Sequence, residues 1–478
     1  MHEIDVIIFI LYMLAMLLVG VYFHRRNRGT DDYYVGGRNM GSMHIALSVV
    51  ATDVGGGFSI GLGGLGFSMG LSGSWMLFTG LLGAWLAAVF LVPYVREHKA
   101  FAHFQTFPQL FAHYYGARVA LIAGFISLIG YIGFTSSQLL AGAKLASVSL
   151  EGINLNQALW LMGAVAVVYT VFGGLKAVIY TDTVQWIILL VGLILVAIPV
   201  AWTQLGGFEA MQTYLAPEML SLTHIGWADL VSWAVTIIPI WFVGMTLYQR
   251  IYASRDAKTA KRAWFFAGLL EWPLMAFMGV VLGMLARVAA EQGLLGTVGD
   301  AESGLPMLLK TILPAGLMGL VLSSYFSAIL STADSCLMAA SGNLSTDILP
   351  KLLKGKSEQF QLRISQVFTM SIGLLAIFLA GTMTEVLDLM LYSYAFMVSG
   401  LFVPLLAALY GKSRNSLAAA VAMVGGGLCT VSLQLAEQYK LIQKLPWELD
   451  ANVFGLSLSA LLFFTIKNVT HDVNTIKS

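Results

Sequence analysis

Charge is scarce in this sequence: Asp, Glu, Lys and Arg make up 11% of its 478 residues, against 58% hydrophobic. So few charges cannot cover a soluble protein of this size, and a mean hydropathy of +0.80 places the chain in lipid. Cysteine is scarcer still. Cys336 and Cys429 stand alone in apolar segments without metal-ligand spacing, which excludes a disulfide framework and a zinc site. A net charge of +1 says nothing about partners; no nucleic-acid partner is expected, and the oligomeric state is left open. No polar stretch is long enough to fold as a separate domain, so one membrane domain accounts for the chain. The motifs of enzymes are missing in substance. "GLGGLG" (61–66) has no preceding strand and no acidic residue about 20 positions later, and "GFSMG" (66–70) has no strand-turn-helix context. Close helix packing explains most of the 49 glycines better, and no catalytic constellation is present.

What the sequence has in plenty is apolar windows of about 20 residues, the length that crosses a hydrocarbon core as helix. Roughly thirteen are expected, near 4–24, 41–70, 73–95, 118–145, 156–175, 178–203, 228–252, 263–290, 306–342, 361–382, 386–411, 415–435 and 448–466. The second and ninth exceed one crossing, which predicts a break or extension in each. If the N-terminus faces outward, all of the 26 lysines and arginines except Lys144, Arg287, Lys310, Lys440 and Lys444 fall on the inner side, Arg250 among them. That pattern predicts an outer N-terminus and a cytoplasmic C-terminus. The first apolar segment follows acidic residues and precedes Arg25 and Arg26, the reverse of a signal peptide, so it reads as a stable span.

Three interruptions break the apolar pattern. In "ATDVGGGFSIG" (51–61), consecutive glycines cannot share one packing face at about 100° per residue, so the helix should unwind beside Asp53. Irregular backbone at membrane depth needs a cavity or protein partners, and an intramembrane carboxylate points to function; a turn capped by Asp53 is the plainer alternative. In "TIIPIWFVGMTLYQR", Pro239 and Gly244 interrupt the seventh span, five spans after the second. Paired broken helices in corresponding positions mark the central site of a transporter built from inverted repeats. In "SAILSTADSC" (327–336), with Ala328 at zero, Ser331 falls near −60°, Thr332 near +40° and Ser335 near −20°, on one face. Neutral hydroxyls with freed carbonyls suit a small monovalent cation, although such hydroxyls also bond back to their own helix. Asp334 lies beside this face. Asp182 in "YTDTVQW" reads equally well as a helix N-cap.

With "DDYYVGGRNMG" (31–41), "ATDVGGGFSIG" (51–61), "QLLAGAKL" (138–145), "VFGGLKAVIYTDTVQ" (171–185), "YQRIYAS" (248–254) and "SAILSTADSCLMAASGNLSTDI" (327–348), the chain resembles the sodium/solute symporter family. The resemblance implies an all-α polytopic membrane protein with the leucine-transporter fold. An extra first helix (1–30) would precede two inverted five-helix repeats (41–205 and 228–411), with further helices at 415–466. It implies a sodium site of the Ala51, Val54 and Ala328 carbonyls and the Ser331 and Thr332 hydroxyls. Asp182, Ser331, Asp334 and Ser335 form a candidate second sodium site, although Asp334 replaces a serine of two-sodium members. The solute cavity would be lined by Thr52, Asp53, Phe58, Ser59, Phe134, Ser137, Gln138, Trp241 and Thr246. The expectation is sodium-coupled import, by alternating access across a bacterial-type plasma membrane, of a small organic solute. A proline-like amino acid comes first, then choline or another amine, then a sugar; a channel or sensor is the alternative of another class. Glu271, inside a span, has no role in this reading.

Overall fold

A computed structural model describes residues 2–25, 29–53, 55–150, 152–411 and 414–476, with side chains left aside at 23–24, 57–59 and 469–476. Among the described residues the secondary structure is helical apart from one isolated bridge between Met40 and Ser254. The principal helices are α1 (Glu3–His24), α2 (Ser42–Asp53), α3 (Gly56–Met69), α4 (Trp75–Leu86), α5 (Ala117–Ser149), α6 (Leu155–Leu190), α7 (Trp227–Val243), α8 (Met245–Ala253), α9 (Ala257–Leu269), α10 (Ala276–Glu291), α11 (Ala301–Ile312), α12 (Leu317–Gly342), α13 (Glu358–Ala380), α14 (Val386–Tyr410), α15 (Ser416–Gln438) and α16 (Ala451–Ile476). Lipid leaves no water to satisfy backbone groups, which is why so apolar a chain is built from helices.

Ten described helices are long and apolar enough to cross a membrane, and the α7–α8 pair, bent by 40°, makes an eleventh. Two of those segments hold more than one crossing. Residues 155–205 run for 51 residues, about 76 Å at 1.5 Å per residue, and break at Gly174 (φ 64°). There the backbone turns left-handed, and a Cβ would press on the Tyr33 ring. Residues 60–97 likewise join the end of α3 to α4 through a 3₁₀ turn at 70–74. Dividing both segments gives thirteen crossings among the described residues, at the places the apolar windows predict.

The break expected in the window at 306–342 is present: it is two elements, the short α11 and then α12, because Pro314 and Gly316 separate them. Two details differ from expectation. The glycine run unwinds only before Gly56, where α3 begins with Gly55 as its N-cap; Gly56 and Gly57 are helical. Asp182 caps nothing: α6 restarts after Gly174, so Asp182 lies inside a helix, and its burial there demands partners.

The helices pack in two groups. α2 packs on α9 and α3 on α10, with α4 lying against α7 and α9, whereas α5, α6, α12 and α13 pack on one another. α12 lies between the groups, enclosed along almost its whole length, and Asp5 of α1 caps its start by accepting from the Gly316 and Gly319 amides at 2.6 and 2.8 Å. The site is therefore formed where α12 faces the break between α2 and α3.

Candidate ion and solute site

The end of α2 frees the last carbonyls of that helix, and α12 meets them with hydroxyls. Ser331 Oγ donates to the Ala51 carbonyl at 3.0 Å and to the Ala328 carbonyl at 2.8 Å; Thr332 Oγ1 donates to the same two at 2.8 and 3.4 Å. Four of the five expected sodium ligands thus converge, all of them neutral oxygens and all buried. Val54, the fifth, lies outside the described residues. A hydroxyl that donates here can turn its proton away and offer a lone pair to a cation instead. Gly55 permits the approach: a Cβ there would run into the Thr332 side chain and Gln138 Oε1.

One turn further along α12 the chemistry changes. Ser335 Oγ lies 3.0 Å from Thr52 Oγ1 and accepts from Arg250 Nη2 at 2.5 Å. Arg250 Nε donates to Ser48 Oγ at 3.1 Å, and Ser48 donates to Asp182 Oδ2 at 2.5 Å. The guanidinium also lies 3.5 Å from Asp182 Oδ2. Every charged group here is fully buried, and the charge of Arg250 acts on Asp334, although neither Asp334 oxygen has a hydrogen-bond partner among the described residues. Of the residues suggested for a second sodium, Asp182 and Ser335 therefore hold a fixed guanidinium, whereas Ser331 belongs to the neutral cluster. Arg250 also corrects the orientation count, since a residue inside α8 with no exposure is not an inner-loop charge.

Of the residues expected to line the solute cavity, Thr246 is brought to the α5 helix that carries Phe134, Ser137 and Gln138. Phe134 packs edge-on against Tyr394 with centroids 4.8 Å apart; Thr246 Oγ1 is 3.1 Å from the Tyr131 hydroxyl; Ser137 bonds back to the Phe134 carbonyl and accepts from Gln138. Trp241 is fully buried with its Nε1 unpartnered. Phe58 and Ser59 lie on α3, but their side chains lie outside the described residues. Glu271, on the irregular turn between α9 and α10, reaches Asp53, and the two carboxyl groups lie within hydrogen-bonding reach of each other. Neither Glu271 oxygen nor Asp53 Oδ2 has a donor from any other residue. Gly80 on α4 leaves the room that Glu271 fills, and Gly83, nearly one turn on, accommodates Trp241.

Comparison with known proteins decides the family, because the model of the sodium:solute symporter family matches residues 33–426. The chain belongs to that family. Among relatives of the symporter, the high-affinity proline transporter PutP of Bacillus subtilis is 27% identical over 428 residues, covering 87% of this chain and 89% of the relative. Sodium/glucose cotransporter 1 of sheep (Ovis aries) is 27% identical over 403 residues, covering 74% and 59%. A solved substrate-bound, outward-open Na⁺-coupled sialic acid symporter superposes with a TM-score of 0.80 at 22% identity, covering 98% of both chains. The symporter thus has the leucine-transporter fold, works as a multi-pass sodium-coupled transporter and needs no catalytic centre for that work.

At one end of the symporter's bundle a single lysine ties three helices. Lys144 of α5 lies 2.9 Å from Glu302 of α11, 3.3 Å from Asp300 at the start of α11 and 3.6 Å from Glu385 at the start of α14. Glu302 also accepts from the Val386 and Leu387 amides at 3.0 and 2.9 Å, fixing the first turn of α14. This cluster escapes a sequence reading because its members are spread over more than 240 positions.

Proposed function

We propose that the symporter imports a small solute carrying a positively charged nitrogen, a proline-like amino acid first, with one sodium ion per cycle. The observation that carries this reading is the meeting of Ser331 and Thr332 with the Ala51 carbonyl across the α2–α3 break. Sodium bound by Ala51, Val54, Ala328, Ser331 and Thr332 joins the two helix groups and stabilises the state that accepts solute. A membrane potential of 100 mV supplies about 2.3 kcal/mol for each charge moved, roughly a fiftyfold accumulation before any ion gradient is added. Support for one ion rather than two comes from Arg250, whose guanidinium already bonds Ser335 and lies beside Asp182. A permanent cation there repels a mobile one.

The amine preference rests on Asp53 and Glu271, buried acceptors without outside donors beside the aromatic Trp241, Phe134 and Tyr394. An ammonium group with two N–H donors would satisfy both carboxyls, a demand that proline's nitrogen meets and a quaternary nitrogen does not. Choline and other amines are the second reading. In this scheme 41–205 and 228–411 are the inverted repeats, 1–30 and 415–466 flank them, the N-terminus is outside a bacterial-type plasma membrane and the C-terminus is inside.

The test is uptake by purified protein in liposomes from a pool of amino acids, betaines, choline, sugars and small carboxylates, driven by an inward sodium gradient or by potassium in its place. Proline-like uptake that needs sodium is expected. Sugar uptake alone would overturn the amine assignment, and solute equilibration without accumulation would mean a channel.

A further inference from the structure

A cavity of about 300 Å³ opens between the first turns of α7 and α14, the last turn of α15 and the start of α16. It is separate from the central site and lies on the same end of the bundle as Lys144, whose charge acts on Asp388 at its rim. Asp388, Glu437 and Asp450 line it together with Asn452, Trp233 and Tyr392, and among the described residues no Lys, Arg or His does. Asn452 is fully buried: its amide nitrogen donates to Thr236 Oγ1 at 2.7 Å, while its Oδ1 has no partner. The cavity therefore offers acceptors and aromatic faces. Its three carboxyls do not converge on one point, since the one acidic trio at metal-ligand spacing among the described residues is Asp300, Glu302 and Glu385. Spread acceptors and a volume in the range of small-molecule sites suit an organic cation better than a bare ion.

We propose that this cavity is a second binding site, in front of the central one, for a small organic cation bearing N–H donors, a primary or secondary ammonium. The proposal extends the reading that the cargo carries a positively charged nitrogen. The ammonium donates to the carboxylates and to Asn452 Oδ1, while its carbon frame lies against Trp233 and Tyr392. Acidic walls around a concave mouth raise the local concentration of such cations before they reach the core.

The test is equilibrium dialysis of radiolabelled 1,4-diaminobutane against the full chain in detergent at low salt. The wild-type protein should bind the probe, and Glu437→Gln with Asp450→Asn should weaken binding about tenfold. Gln434→Lys, which places a tethered ammonium at the cavity wall, should compete the probe out and guards against a double variant that fails to fold. Asp53→Asn should leave in place the component of probe binding that the Glu437→Gln, Asp450→Asn variant loses. Equal binding by the wild type and the double variant, or no binding by the wild type, would overturn the outer site. Loss of binding in Asp53→Asn would assign the probe to the central site and overturn the proposal while leaving the central reading in place.

Discussion

Two polar clusters sit one turn apart on α12 and solve the same problem in opposite ways. Around Ser331 and Thr332 every oxygen is neutral, so the cluster holds no charge of its own, and in the proposed function a cation brings one in. Around Ser335 the structure gathers two buried carboxyls and supplies the cation permanently as Arg250. A site that must release its ion is ill served by carboxylates that hold it too well, whereas a structural cluster at the same depth needs its charge fixed. The acidic cavity is a third case, with no cation among its lining residues.

The largest effect is expected where the neutral site is emptied of oxygens. Ser331→Ala with Thr332→Ala should raise the sodium concentration for half-maximal uptake by about a hundredfold, since two ligands are lost. Unchanged sodium activation would remove this ion site. In the acidic cluster, Arg250→Ala leaves buried carboxyls unpaired and should cost about 3–5 kcal/mol in thermal or denaturant unfolding. If the cluster is a cation position occupied by arginine, added sodium should recover more of that loss than it adds to the wild type. Equal sodium stabilisation of both proteins would break the comparison.

Gly55→Ala tests the approach between the break and α12, because a methyl there meets Thr332; uptake should fall about tenfold. Its stability should change less than that of Arg250→Ala. The smallest effect belongs to the acidic cavity. Burial, followed by the charges of Glu437, Asp229 and Asp388, pushes the Asp450 carboxyl up to about 6. A raised carboxyl stays neutral up to a higher pH than usual, so diaminobutane binding should strengthen as pH rises through about 6 and fade below it. A flat profile between about pH 5 and 7 in the dialysis measurement would exclude Asp450 from the cavity's charge.

Much of this was legible in the sequence, because lipid forces apolar windows to appear at helical length and makes every interruption conspicuous. The break beside Asp53, the bend at Gly244 and the hydroxyl face of α12 can each be read from a few adjacent residues. Arg250 is different: an arginine near a span end resembles an inner-loop charge, and burial is a property of the packing around it. Glu271 is visible as an intramembrane charge but has no partner in its own segment; only packing of α2 against α9 brings it to Asp53. The Lys144 cluster is hidden for the same reason, being assembled from three distant helix ends.

That lysine has a consequence for timing. While it lies among Asp300, Glu302 and Glu385, it offsets much of their negative charge and holds three helix ends together. In the proposed orientation this is the outer door, and drawing the lysine away would leave an uncovered acidic rim facing sodium-rich water. Unlatching would then act as its own summons: the moment at which the passage is ready for an ion is also the moment at which the doorway attracts one most strongly.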